Sequence, residues 1–133
     1  LSAEINRDLS TSAQRPRQKF ISASTREYKY AAYEEAWRLK VERIGNLNYP
    51  DEAKRRNLSG ALMLDVALNP DGSLNSIKVL RSSGHKLLDD AAQRIVHLAA
   101  PFAPFPASIR AETDVLPIIR TWKFENNYRL SSR

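Results

Sequence analysis

The stretch Gly60-Ala-Leu-Met-Leu-Asp-Val-Ala-Leu-Asn-Pro-Asp-Gly-Ser-Leu-Asn-Ser-Ile-Lys-Val-Leu-Arg81 decides how this chain folds. In its first half Leu62, Leu64, Val66 and Leu68 alternate with Ala61, Met63, Asp65 and Ala67. That period of two puts one apolar face on a strand, so one side of the resulting sheet is core. Asn69-Pro70-Asp71-Gly72 is a turn for a physical reason: Pro presets its dihedral, Asp bonds the backbone, and Gly takes the left-handed exit. A hairpin follows. The return strand, from about Ser73 to Arg81, carries Leu74, Ile77, Val79 and Leu80. Their imperfect alternation predicts a bulge near Asn75 or Ser76.

Downstream of the hairpin, Ser82-Ser83-Gly84 breaks the strand. A helix is predicted from about Lys86 to Ala100, with Leu87, Leu88, Ala91, Ala92, Ile95, Leu98 and Ala99 on one side and Asp89 and Asp90 favouring its N-terminal half. Pro101 ends it, and Pro101-Phe-Ala-Pro-Phe-Pro106 must run extended. That segment reads as a proline-rich ligand or, more plainly, as two phenylalanines closing the end of the core. Val115 to Phe124 is a strand in which Leu116, Ile118, Trp122 and Phe124 share one parity. The residues after Glu125 turn polar, and 128–133 are expected to fray.

Upstream, Pro50 to about Asn57 reads as a short helix, with Asp51 and Glu52 in its first turn and Lys54, Arg55 and Arg56 in its last. Before it, Tyr30, Tyr33, Trp37, Val41 and Ile44 recur at three and four residues, the stripe of an amphipathic helix. Ser24-Thr-Arg-Glu27 supplies a capping box at its start and Gly45 a stop at its end, placing this helix at 24–45. The stripe reads as a docking face, against the domain or a neighbouring chain, rather than a ligand box. Residues 1–23 show no period and are expected to be a flexible linker.

Composition narrows the class. A chain of 133 residues with 42% apolar content supports one domain with a modest core plus a tail. No run of apolar residues approaches the length of a membrane span, and with Leu1 at its head the chain is expected to be a soluble piece of a longer protein. The chain has no Cys, which removes disulfides and thiolate metal sites. Its formal charge of +6 admits nucleic acid, an anionic membrane or an acidic peptide as partner, but the basic residues are interspersed with acids, the mark of a solvated surface.

Strand, turn, strand, helix, strand is a split βαβ pattern. Connection rules give an antiparallel sheet of order second, first, third, with the helices on one face: an α+β fold. The third strand is then an edge, and Pro117 within it agrees, since proline in a sheet is tolerated chiefly at edges. A long, β-branched, aromatic edge is either used to template a partner strand or covered by the C-terminal tail; periodicity leaves both open.

In order and spacing, Asn48-Tyr49-Pro50, Ala53, Gly60, the strand into Asn69-Pro70-Asp71-Gly72, Ile77 to Leu80, Ser82-Ser83-Gly84, Leu88-Asp89 with Ala92, and Trp122-Lys123-Phe124 resemble the C-terminal domain of the TonB family of energy transducers. The resemblance runs from Asn46 to Asn127 and looks most like the pseudomonad-type branch. It implies a three-stranded TonB C-terminal fold with an extra N-terminal helix, a periplasmic location, and an inner-membrane anchor in an N-terminal segment outside this sequence. It implies partnership with ExbB and ExbD and, as ligand, the TonB box of outer-membrane transporters for siderophores, haem or cobalamin. The family's peptide-binding positions carry over to Asn48, Tyr49 and Pro50, with Asn in place of the family's Gln, and to the strand Val115, Leu116, Ile118, Ile119, Arg120, Thr121, Trp122, Lys123 and Phe124. Pro117 leaves the pairing register near it open. A monomer or weak dimer is expected, without cofactor.

Two other readings compete. A TolA-like periplasmic interaction domain shares this plan, though such domains usually carry a disulfide. A basic nucleic-acid module would need exposed aromatics among Lys and Arg on one sheet face, whereas Trp122 and Phe124 share the core parity. An enzyme is not expected. Ser82, Ser83, His85 and Asp89 lie close together without a nucleophile elbow, and helix-start signals account for them. His85 and His97 lack the spacing of a shared metal site.

Overall fold

The computed structural model describes residues 28–133. The linker expected at 1–23 and the capping box at Ser24 lie outside them. Helix α1 (Tyr28–Leu47) is followed by α2 (Asp51–Arg55), β1 (Gly60–Leu68), β2 (Leu74–Arg81), α3 (Lys86–Ala99), α4 (Ala107–Arg110), β3 (Leu116–Phe124) and β4 (Leu130–Ser131). No described helix is long and apolar enough to cross a membrane.

The sheet has four antiparallel strands in the order β2-β1-β3-β4. The order β2-β1-β3 is the one the connection rules give, but the expectation of three strands and of a frayed tail is corrected. Leu130 is buried and pairs beside Phe124, and Ser131 beside Lys123. A two-residue strand carries too little periodicity to be seen in the sequence; its stability comes from burying Leu130.

The first hairpin forms as its turn chemistry requires. Gly72 takes a positive φ of 86°, and the Asp71 carboxylate accepts from the Ser73 amide at 2.9 Å. In the register, Ala67 faces Ser76 and Leu68 faces Leu74, which makes Asn75 the extra residue of the expected bulge. A second irregularity skips Leu80, between Met63 facing Arg81 and Leu64 facing Val79, so the adjacent apolar residues Val79 and Leu80 both reach the surface.

One core joins α1 and α3 to the inner face of the sheet. Tyr30, Tyr33, Trp37 and Val41 of α1 pack with Leu88, Ala92 and Ile95 of α3 and with Leu62, Leu64, Ile118, Trp122 and Phe124 below. Trp37 meets Trp122 edge-on at 6.3 Å between ring centres, so the stripe read from the sequence docks on the domain itself. Phe102 and Phe105 are buried, and their amides donate to the carbonyls of Gly72 and Pro70 at 2.8 Å each. Pro101 to Pro106 therefore closes the core end, as the plainer reading had it, and does so by zipping onto the β1–β2 turn.

Helix α1 does not stop at Gly45 but continues to Leu47. Gly45 is there for closeness: a Cβ on it would lie 2.3 Å from Leu130 Cδ2. Asn48 ends the helix instead, its Nδ2 donating to the Ile44 carbonyl at 2.8 Å. Likewise the Ser82–His85 loop is braced by Asp89, whose Oδ1 accepts from the Ser83 amide at 2.9 Å and the Ser83 hydroxyl at 2.8 Å.

On the face of the sheet opposite the buried Leu64 and Val66, Asp65 lies beside Lys78 on β2 and Ile119 on β3. Its Oδ1 makes no hydrogen bond. Burial pushes its carboxyl up from 3.8, with Lys78 opposing. A carboxyl raised in the fold binds its proton more tightly folded than unfolded, so its contribution is lost as pH rises from the unfolded value through the folded one. Asp65→Asn is therefore expected to raise the melting temperature at pH 7 and to give no gain near pH ~3. Thermal unfolding at both pH values checks this; an equal change at both would refute it.

Candidate functional site

The candidate site is the outer edge of β3, and the direction of its backbone groups follows from two hydrogen bonds and the β1–β3 register. In the first hairpin the Asn69 amide donates to the Ser73 carbonyl at 2.9 Å. Odd positions of β1 therefore turn toward β2, and even positions toward β3. In the all-residue register from Gly60–Phe124 to Leu68–Leu116, even residues of β1 face even residues of β3. So Leu116, Ile118, Arg120, Trp122 and Phe124 spend their backbone groups on β1. At the other end the Glu125 amide donates to the Arg129 carbonyl at 3.0 Å, which independently turns the odd positions of β3 outward.

Pro117 falls on an outward position, so the donor it lacks is missing from the open edge and not from the β1 ladder. Lys123 is occupied by Ser131. Among the described residues no strand pairs with the edge from Pro117 to Trp122. Pro117 is buried, so what remains open is both backbone groups of Ile119 and Thr121. Two donors and two acceptors in line form a template for one short extended segment.

Beside that window, β4 is held from both sides. Its inner side pairs with Lys123 and Phe124. Its outer side meets side chains of α1: Asn46 Oδ1 accepts from the Leu130 amide at 2.9 Å, Asn46 Nδ2 reaches the Leu130 carbonyl at 3.4 Å, and Glu42 Oε2 accepts from the Ser132 amide at 2.8 Å. Glu42 is itself held by Arg38 Nη1 at 3.0 Å. Glu42, Asn46, Leu130 and Ser132 were not legible as a unit, since 84 to 90 residues separate the partners.

The sequence-predicted positions divide into three groups. Ile119 and Thr121, at odd positions, front the open edge, with Ile119 47% exposed; Lys123 fronts β4; Val115 lies just ahead of β3. Leu116, Ile118, Trp122 and Phe124 point into the core and support the edge from beneath. Arg120 also points inward, where its Nη2 donates to the Glu34 carboxylate at 2.6 Å and ties α1 to the middle of β3. Glu34 is only 2% exposed, so this pair is shielded from solvent. Asn48, Tyr49 and Pro50 lie at the far end of β3. Tyr49 packs edge-on against Phe124 at 5.6 Å, and its hydroxyl donates to the Glu125 carbonyl at 3.3 Å. With Leu47, Arg94 and Leu98 these three line an open cleft. Tyr49 thus buttresses the β3–β4 turn, while Pro50 opens α2.

Among the described residues no cluster of His, Asp and Glu could hold a metal ion. The serine, histidine and aspartate near residue 85 form the loop brace described above.

A family profile described as the Gram-negative bacterial TonB protein C-terminal matches residues 45–126. The chain belongs to the TonB C-terminal domain family. Among curated relatives, Protein TonB of Pasteurella multocida is 32% identical over 84 residues, covering 63% of this chain and 32% of that protein. Protein TonB of Haemophilus influenzae is 30% identical over 115 residues, covering 86% of this chain and 42% of its own length. The chain thus spans less than half of these TonB relatives. The solution structure of the Helicobacter pylori TonB C-terminal domain is 27% identical and covers 80% of this chain and 98% of that one, with a TM-score of 0.48. The family match ends before β4 and begins near the end of α1, so the two elements that clasp each other lie almost wholly outside it.

Proposed function

We propose that this domain takes the TonB box of an outer-membrane transporter as an added strand on the outer edge of β3, within a periplasmic energy transducer anchored in the inner membrane by a segment outside this sequence. The observation that carries the reading is the open pair of outward positions Ile119 and Thr121 on the β3 edge of a TonB-family domain. Main-chain bonds to Ile119 and Thr121 give affinity, and alternate side chains beside Ile119 and Asp65 give selectivity. Neither role calls for a catalytic group. Through ExbB and ExbD, engaged by the absent N-terminal part, tension on the strand would reach the transporter for siderophore, haem or cobalamin uptake. A strand added along an edge resists force across several bonds at once, which suits a mechanical link.

The test is titration of the ¹⁵N-labelled domain with a TonB-box peptide, with a DNA oligonucleotide as control. The amides of Ile119 and Thr121 are expected to shift first and the oligonucleotide to leave them unmoved. A chain ending at Tyr128, which lacks β4, is expected to add Lys123 to the responding set, since Ser131 no longer occupies it, and to bind about three- to tenfold more tightly. No peptide response in either chain would refute the reading.

A further inference from the structure

Asp65 is the only charged residue of β1, and the register fixes what stands around it. On the outer face of the sheet it lies between Lys78 of β2 and Ile119 of β3, with Met63 and Ala67 before and after it on its own strand. Asp65 turns its backbone groups toward β2 and Ile119 turns its own toward the open edge. The two therefore form the closely spaced kind of antiparallel pair, in which facing side chains approach each other. From β3, the neighbours Pro117, Ile119 and Thr121 bring no charge to the carboxylate.

That carboxylate is unanswered within the fold. Its Oδ1 is shut off from solvent and makes no hydrogen bond. Among the described residues no cation lies at ion-pair distance from it, Lys78 included. Such a group lowers stability, and burial already holds the carboxyl above its ordinary value. Asp65 is only half-buried, however, so the carboxylate can be approached across the outer face. A segment added to β3 lies two strand spacings from β1, roughly 10 Å. The side chain it sets beside Ile119 falls on the same outer face as Asp65. A lysine or arginine there spans the distance, its stem lying along the half-exposed Ile119 and its head at the carboxylate. Serine, threonine and asparagine are too short.

We propose that Asp65 selects a lysine or arginine in the added peptide, at the position laid beside Ile119, by forming an ion pair with it over the Ile119 side chain. This rests on strand addition at β3 and names the chemistry of one residue of the ligand. The selection has a negative side as well, since an acidic residue at that position would meet Asp65 with like charge. Lys78 is the competing cation. It is exposed, stands on the β2 side of Asp65 and draws on the same carboxylate, so it weakens the preference without abolishing it.

The 133-residue chain is titrated with a set of capped TonB-box peptides in which one lysine is moved through successive positions, each matched by a peptide with norleucine in its place. The amides of Ile119 and Thr121 report addition, and the side-chain carboxyl carbon of Asp65 reports the pair. At one position lysine is expected to bind about three- to tenfold more tightly than norleucine and to move the Asp65 carbon, while glutamate there binds more weakly than norleucine. Asp65→Asn, expected above to fold more stably than the parent, should bring lysine and norleucine level. Lys78→Met, at an exposed position, should widen the gap, and high salt should narrow it. If norleucine peptides shift Ile119 and Thr121 but no position prefers lysine, or if the preference persists undiminished in Asp65→Asn, the proposal is overturned and strand addition stands. Silence of both amides with every peptide would sink strand addition at β3 and this proposal with it.

Discussion

Alanine at Gly72 is expected to destabilise the domain by about 3–5 kcal/mol, whereas alanine at Gly84 should cost only about 1 kcal/mol. Both glycines have positive φ, 86° and 89°, so both substitutions carry the same left-handed penalty. They differ in space. A Cβ on Gly84 meets nothing within 4 Å, but one on Gly72 would lie 2.0 Å from the Phe102 carbonyl oxygen and 2.7 Å from its carbon. Those atoms are backbone and cannot rotate away. Moving them breaks the Phe102 amide bond to Gly72 and the neighbouring Phe105 bond to Pro70, and draws two buried phenylalanines from the core end. In thermal unfolding the Gly72 variant should melt about 15 °C or more below the parent and the Gly84 variant about 5 °C below. Equal losses would mean that the turn and the Pro101–Pro106 segment are not zipped.

The second large effect separates binding from folding at adjacent residues. Ile119→Pro removes an outward amide, just as Pro117 already does, and leaves the β1 ladder intact; Ile119 is half exposed, so no core contact is lost. Arg120→Pro removes an amide that β1 uses and withdraws the only described cation facing buried Glu34 at 2.6 Å. The first variant should stay folded, at a cost of about 1 kcal/mol, and bind TonB-box peptide at least about tenfold more weakly, because a donor is gone and the ring obstructs the added strand. The second should fail to fold or lose several kcal/mol. Circular dichroism with peptide titration distinguishes them. If Ile119→Pro binds normally, the strand does not add where proposed; if both unfold, the assignment of odd residues to the outer edge is wrong.

Much of the fold was legible because its signals are local. Alternation from Leu62 to Leu68, the Asn69–Gly72 turn and the 3.6-residue stripe from Tyr30 to Ile44 each depend on residues within a few positions of one another. Even the Asn75 bulge showed, since it interrupts an otherwise regular pattern. Gly45 misled for the same local reason. Glycine near the end of a stripe reads as a stop, while its actual cause is Leu130, brought against α1 by the tertiary fold. The second bulge at Leu80 left only two adjacent apolar residues, a signal indistinguishable from ordinary surface exposure.

The candidate site divides along the same line. Parity placed Trp122 and Phe124 in the core, and connection rules and Pro117 identified β3 as an edge of the three predicted strands. Which of its residues offer backbone groups outward depends on hydrogen-bond phase, which period-two patterning does not encode. The sequence by itself determined the βββ-with-helix plan, the strand order and the family, because periodicity, turn chemistry and connection handedness act through neighbouring residues. Only the tertiary structure decided that β4 closes one end of the edge, that Glu42 and Asn46 hold it, and that Ile119 and Thr121 stay open. Those facts rest on contacts across 80 residues or more, whose energies arise only when the burial of Leu130 and the docking of α1 have brought the partners together.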